Sequence, residues 1–179
     1  VATAAETFER SRNLPVHARA DALDHISRRL GESIDRNAEL IAQEGGKPLK
    51  WAKVEATRAV STFRWASEVL RRGDDELIRL DTEGITPFNF PLNLVAHKVA
   101  PSLAVGAPIV VKPASATPLG SLRLAELFDE TDLPHGMLQV LPVSSKVADG
   151  MARDERFRKI SFTGSSDIGW YLQGLDPKK

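Results

Sequence analysis

The 179-residue chain contains no cysteine. That excludes disulfides, thiolate metal sites and a cysteine nucleophile within these residues. Net charge is also missing: 24 Lys and Arg stand against 24 Asp and Glu. Such a balance provides no electrostatic footprint for nucleic acid or an anionic membrane, so neither partner is expected. No apolar run approaches the roughly 20 residues of a membrane span, and the opening VATAAETFERSRN does not read as a signal peptide. No internal repeat and no low-complexity linker is present, and no His/Asp/Glu cluster has metal-ligand spacing. What is left is 42% hydrophobic and 27% charged residues. This is the composition of an ordinary globular protein, with a length for one domain or one and a half. A cytoplasmic location is the default.

The first 72 residues read as helical. Leu23, Ile26, Leu30 and Ile34 recur at helical spacing with charged residues between them. Pro15 opens this helix, and Gly45-Gly46-Lys47-Pro48 interrupts the pattern. A second stripe follows: Ala52, Ala56, Val60, Phe63, Ala66 and Leu70. Its small residues favour close helix packing, and Gly73 ends it. The acidic run Asp74-Asp75-Glu76 reads as a solvated loop.

From residue 85 the pattern changes. Asn93–Leu103 reads as a helix whose regularity Pro101 limits, with Gly106 as its break. Ala107–Val111 is apolar on both faces, as a buried parallel strand requires. Pro118 suits the first turn of a helix over 119–128. A turn at Leu133–Gly136, a strand over 137–141, a short helix over 147–153, a strand over 157–162 and a helix over 165–175 follow. Alternation at this spacing predicts an α/β fold built from right-handed βαβ units in a doubly wound parallel sheet, preceded by N-terminal helices.

Three places could carry chemistry. Thr163-Gly164-Ser165 follows a predicted strand and opens a predicted helix. A helix N-terminus with a glycine for close approach can hold a phosphate, but the spacing is not GxGxxG. The alternative is an ordinary strand-to-helix turn with Ser165 as N-cap. Lys112 leaves the strand Ile109–Val111 at its C-terminal edge, which faces the ligand crevice in open α/β sheets. It is either a ribose or phosphate anchor or a solvated strand-end lysine. Asn89 lies between two prolines in Pro87-Phe88-Asn89-Phe90-Pro91. Its amide can donate two hydrogen bonds to an oxyanion, or it can serve an Asx-type turn. The histidines are isolated. His97 reads as a packed or capping group, and His17, His25 and His135 as surface or turn residues. Lys47 reads as part of a helix–helix turn.

Taken together, ITPFNFPLN (85–93), KPAS and TPL (112–119), LP-G (133–136) and SFTGS–IG (161–169) resemble the aldehyde dehydrogenase superfamily, in that family's order. Glu44-Gly45-Gly46-Lys47-Pro48 and the helical N-terminus are similar to it as well, so the resemblance covers nearly the whole chain. It implies a Rossmann-like NAD(P)-binding part and oxidation of an aldehyde to an acid with NAD or NADP. It implies Asn89 as the oxyanion donor and Lys112 at the adenosine ribose. Ser165 is implied at the pyrophosphate, with Phe162, Thr163 and Gly164 in the same loop, and Pro87 and Phe88 lining the cofactor cleft. Ser115 falls where many NAD-preferring members carry Glu. A carboxylate there would repel a 2′-phosphate and a serine would not, so NADP is permitted.

The resemblance also sets expectations about what lies elsewhere. Residues 1–84 form the N-terminal helical part of the cofactor-binding domain and 85–179 its Rossmann-like part. The family's catalytic domain, with its Cys and Glu, is expected to be absent from these residues, which alone should be inactive. The strand pair that usually precedes the ITPFNFPLN motif and serves oligomer contacts has no counterpart at Asp81–Gly84. Pro142-Val143-Ser144 lacks the glycine often found near the adenine. A homo-oligomer is expected of the full protein. The alternative is a non-catalytic nucleotide-binding or structural fragment of the same fold.

Overall fold

The computed structural model describes residues 1–73 and 90–175. Four helices come first: α1 (Ala2–Ser11), α2 (Val16–Glu32), α3 (Ile34–Gly45) and α4 (Leu49–Arg72). Then follow α5 (Asn93–Ala104), β1 (Ile109–Val111), α6 (Leu119–Asp129), β2 (Leu138–Val140), α7 (Ser145–Ala152) and α8 (Ser166–Leu175). The described residues are therefore mostly helical, with one small parallel sheet.

The Leu23–Leu30 stripe lies on α2, and its residues are fully buried. Ile34 does not continue it. The helix stops at Glu32, and Ser33 leaves the helical region with φ −122° and ψ 27°. Ser33 Oγ donates to the Arg29 carbonyl at 2.8 Å, and Asn37 Nδ2 reaches Ser33 Oγ at 3.2 Å and the Leu30 carbonyl at 3.4 Å. Local side-chain bonds thus compete with the next helical turn and win, as serine and asparagine do at helix ends. Gly46 (φ 63°) and Gly73 (φ 66°) close α3 and α4 in the left-handed conformation that glycine adopts without penalty.

The core is one cluster. Leu23, Ile26 and Leu30 of α2 pack with Ala52, Ala56, Ala59 and Phe63 of α4, Ile41 of α3, Val99 and Leu103 of α5, and Leu124, Leu127 and Phe128 of α6. The alanines on α4 bring its backbone close to α2. Ser27 Oγ can then reach the Val60 carbonyl at 2.9 Å and Ser67 Oγ the Ala20 carbonyl at 3.0 Å. Hydroxyls buried in this way are satisfied rather than wasted.

β1 and β2 pair in parallel with Ile109 opposite Leu138 and Val111 opposite Val140. Parallel neighbours need a crossover, and α6 provides it. Helix α5 runs through Pro101 to Ala104. Gly106 (φ 74°) then turns the chain into the sheet, and a Cβ there would lie 2.7 Å from the Ser11 carbonyl. Ser11 Oγ donates to the Gly106 carbonyl at 2.8 Å, so α1 is fastened beneath the entry to β1.

The strand expected over 157–162 does not form. The described sheet has two strands only, and 157–163 has no regular structure. A strand needs a ladder partner for its N–H and C=O groups, and neither β1 nor β2 supplies one here. Helix α8 has no buried residue. Trp170 is 72% exposed, and Ile168 and Tyr171 are exposed beside it. Trp51 and Trp65 of α4 are exposed too.

His25 is not a simple surface residue. Its Nε2 lies 3.0 Å from Glu130 Oε2, at the end of α6, and its Nδ1 lies 3.1 Å from Arg28 Nη2. Arg29 meets the same carboxylate through Nε (2.6 Å) and Nη2 (3.1 Å). Hydrogen bonds from Arg29 first, then His25, hold the Glu130 carboxyl below its ordinary 4.5, at about 2. A depressed carboxylate pKa stabilises the fold above 4.5, and that contribution is lost as pH falls through about 2.

Two outcomes follow. Phe63→Ala, in the fully buried centre of α4, should lower stability by about 3–5 kcal/mol in chemical denaturation. Between pH 4.5 and about 2 the wild-type melting temperature should fall more steeply than that of Glu130→Gln. Parallel curves for the two proteins would remove the α2–α6 clamp from the account of acid stability.

Candidate functional site

A carboxylate inside the helical layer organises this region. Glu55 of α4 is 0% exposed. Its Oε1 accepts from the backbone N–H groups of Leu92 (2.8 Å) and Asn93 (3.1 Å), at the start of α5. Its Oε2 lies 2.5 Å from Lys47 Nζ, a side chain only 11% exposed. A negative charge at a helix N-terminus meets the unsatisfied N–H groups and the positive end of the dipole. Lys47 also stands 4.0 Å from the centre of the Phe90 ring, in cation–π range. Arg58 flanks the same ring at 5.9 Å. Sequence reading placed Lys47 in the α3–α4 turn, which holds, but missed its pairing with Glu55. Glu44, three residues before Lys47, caps a second helix: its Oε1 accepts from the Leu119 N–H at 2.7 Å, at the start of α6.

Lys112 follows β1 directly and is half-buried. Its Nζ donates to the Pro113 carbonyl at 3.1 Å. Ser115 is exposed in the turn between β1 and α6. Phe162, Thr163, Gly164 and Ser165 form one exposed loop leading into α8. The Ser165 carbonyl accepts from the Gly169 N–H at 3.1 Å, so Ser165 stands at the N-cap. The Phe162 ring folds over Gly164 so closely that a Cβ there would collide with it. Glycine is what lets a flat group lie on this turn.

A lysine that the sequence did not single out joins the loop to α5. Lys98 Nζ donates to Thr163 Oγ1 at 2.8 Å and to Ser161 Oγ at 3.1 Å. Partial burial lowers its pKa from the ordinary lysine value. The neighbouring His97 is half-buried as expected. Burial lowers its pKa, with the charges of Lys98 and Arg58 acting in the same direction. The His97-Lys98 pair inside the apolar run NLVAHKVAPSL was the available signal for Lys98.

Pro87, Phe88 and Asn89 lie outside the described residues, as do Asp74–Glu76 and the Asp81–Gly84 segment. Among the described residues no cluster of three or more His, Cys, Asp or Glu could hold a metal ion. Nor is any described helix long and apolar enough to cross a membrane. The donor set around 161–165 is therefore one of hydroxyls, backbone N–H groups at a helix start and an ammonium. That chemistry suits a phosphate-bearing ligand.

Comparison with known proteins covers almost the whole chain. The profile described as the aldehyde dehydrogenase family matches residues 1–175. Lactaldehyde dehydrogenase of Methanocaldococcus jannaschii is 36% identical, over 93% of this chain and 40% of its own length. The human mitochondrial succinate-semialdehyde dehydrogenase is 34% identical, over 96% of this chain and 36% of its own. Among solved structures, aldehyde dehydrogenase 21 from Physcomitrella patens, in complex with the reaction product succinate, superposes with a TM-score of 0.89 at 37% identity. It covers 99% of this chain and 41% of that one. Glyceraldehyde-3-phosphate dehydrogenase GapN from Methanocaldococcus jannaschii, complexed with NADP, gives a TM-score of 0.89 at 35% identity, over 99% and 43% of the two chains. The chain thus spans about two fifths of the length of these relatives. Sequence and backbone agree along almost its whole extent, and the protein belongs to the aldehyde dehydrogenase family.

Proposed function

We infer that these residues supply the cofactor-binding part of an NAD(P)-dependent enzyme that oxidises an aldehyde to a carboxylic acid. The observation that carries this reading is the loop 161–165. Lys98 ties it to α5, Gly164 lies under the Phe162 ring, and it ends at the N-terminus of α8. Helix N–H groups and the Ser165 hydroxyl would receive the pyrophosphate. Lys112, at the C-terminal end of β1, would hold the adenosine ribose. Phe162, Thr163 and Gly164 would border the same cleft, with Pro87 and Phe88 lining it. The bound nicotinamide would accept hydride from the substrate carbon. Asn89 would donate its amide to the carbonyl oxygen as negative charge develops there. The nucleophile is not among these 179 residues, since they contain no cysteine.

Residues 1–84 are proposed as the helical N-terminal part of the cofactor-binding domain. Residues 85–179 are proposed as its Rossmann-like part, with β1, α6 and β2 as a unit of a larger doubly wound sheet. The catalytic domain would lie outside these residues. Relatives named for lactaldehyde, succinate semialdehyde and glutarate semialdehyde support a small, oxygen-bearing aldehyde as substrate. The NADP complex of the Methanocaldococcus jannaschii enzyme supports NADP as one usable cofactor. Ser115, which carries no negative charge, supports the same choice. A cytoplasmic homo-oligomer is the expected form.

The direct test is reduction of NAD or NADP by aldehydes with the protein at its full native length. Lys112→Ala and Ser165→Ala should each weaken cofactor binding by roughly tenfold, the loss of about one hydrogen bond to a charged group. Saturable cofactor binding without turnover on any aldehyde would favour a non-catalytic nucleotide-binding module instead. Ser115→Glu should raise KM for NADP by roughly tenfold or more without raising KM for NAD, because a carboxylate at the 2′ position would repel a phosphate and not a hydroxyl. Equal effects on both cofactors would remove Ser115 from the ribose end of the site.

A further inference from the structure

We propose that, given the reading of 161–165 as the loop that receives the pyrophosphate, Lys98 is its positioning residue: from α5 it holds Ser161 and Thr163, and so sets where the turn at 164–165 and the start of α8 stand.

The loop has little else to hold it. Ser161, Phe162, Thr163, Gly164 and Ser165 are all exposed, and α8 has no buried residue. Among the described residues, no backbone hydrogen bond joins 160–164 to another element. The Phe162 ring lies over Gly164, and a Cβ on Gly169 would be 3.8 Å from the same ring. The ring thus packs the loop against the first turn of its own helix, and loop and helix start form one unit. Two polar contacts fasten that unit to other helices. Tyr171 Oη donates to Asp149 Oδ2 at 2.8 Å, tying α8 to α7. Lys98 Nζ ties the loop itself to α5.

Lys98 is built as an anchor. Ala96, Val99 and Ala100 around it on α5 are 0% exposed, so its helix is set in the core. An ammonium has three donors. Two of them end on Ser161 Oγ at 3.1 Å and Thr163 Oγ1 at 2.8 Å. Bonds to two residues fix the direction of the chain between them as well as its position, whereas one bond would leave it free to pivot. The half-buried ammonium has given up part of its water, and the two hydroxyls take that place.

A ligand that needs one arrangement of a loop binds more weakly in proportion to the fraction of molecules so arranged. Without Lys98 the loop loses both bonds and gains other conformations. Lys98 need not touch the cofactor for this to weaken binding.

Lys98→Met keeps the apolar stem and removes the donors. In the protein at its full native length it should raise Kd for NAD or NADP by roughly tenfold in equilibrium titration, as when the competent arrangement falls to about a tenth. Lys98→Arg, whose guanidinium can donate to both hydroxyls, should stay within about threefold of wild type. Ser161→Ala combined with Thr163→Val removes the acceptors instead, and should weaken binding by a similar factor. Adding Lys98→Met to that pair should cause no further loss, since the bonds are already gone.

An equal fractional loss from Lys98→Met in both backgrounds would mean that the ammonium acts on the cofactor directly, and would overturn the positioning role. A Lys98→Met protein that melts earlier but binds cofactor as wild type does would overturn it too. Affinity that responds to Ser165→Ala but not to Lys98→Met would overturn it alone and leave the cofactor loop in place. If the wild type binds neither NAD nor NADP, or Ser165→Ala leaves Kd unchanged, the reading of the loop falls and the role of Lys98 falls with it.

Discussion

An ionised carboxylate with no solvent exposure is a severe constraint, and the rest of the helical layer is arranged around one. Stripping water from a single charge costs several kcal/mol even after a protein relaxes around it. Glu55 can therefore sit inside α4 only if other groups replace that water. Three do: the Lys47 ammonium and the N–H groups of Leu92 and Asn93. They come from the α3–α4 turn and from the start of α5, so satisfying one side chain fixes three elements. If the turn were rebuilt or α5 displaced, the charge would be left without a partner, which is far costlier than losing a surface pair. Glu44 repeats the logic at the start of α6 with less burial.

Close approach is the second organising theme. The alanines of α4 let it lie near enough to α2 for serine hydroxyls to bond backbone across the interface. Gly106 lets the β1 entry meet the end of α1. In each case a missing side chain replaces apolar contact with a directed bond. This fixes register between elements in a way that greasy packing does not. The sheet then inherits its position from helices on two sides.

Much of this was readable in the sequence, and the boundary between the legible and the hidden follows physical range. Gly46 and Gly73 announced their helix ends because a positive φ is a local demand. The Leu23–Leu30 and Ala52–Leu70 stripes announced their helices because periodicity is local. Both strands were visible as short apolar runs. Ser33 was missed because Leu23 and Ile34 share a helical phase, while the side-chain bonds that end α2 are invisible to periodicity. The strand over 157–162 was expected from its own composition, whereas a strand exists only if a neighbour pairs with it. Glu55 and Lys98 were missed for a related reason. Their partners lie 37 and 65 residues away, so even the signal that the apolar run offers for Lys98 does not say what the side chain meets. The loop at 161–165 and Lys112 could be singled out as candidates because a helix start and a strand end carry their own chemistry. For Asn89 the local rule left an oxyanion donor and an Asx turn both open, and the choice between them, like the roles of Pro87 and Phe88, came from the family resemblance.

The placement of the tryptophans decides how the molecule reports on itself. Trp51, Trp65 and Trp170 are all more than half exposed, while the aromatic rings sealed in the core belong to Phe63 and Phe128. The indole emission of the folded chain will thus resemble that of the unfolded one. Collapse or melting of the core will be nearly silent in tryptophan fluorescence and must be followed through the helical backbone. The same placement makes Trp170 a sensor of a different kind. Emission from α8 will change when something covers that helix, and the signal will be largely separate from whether the core is folded.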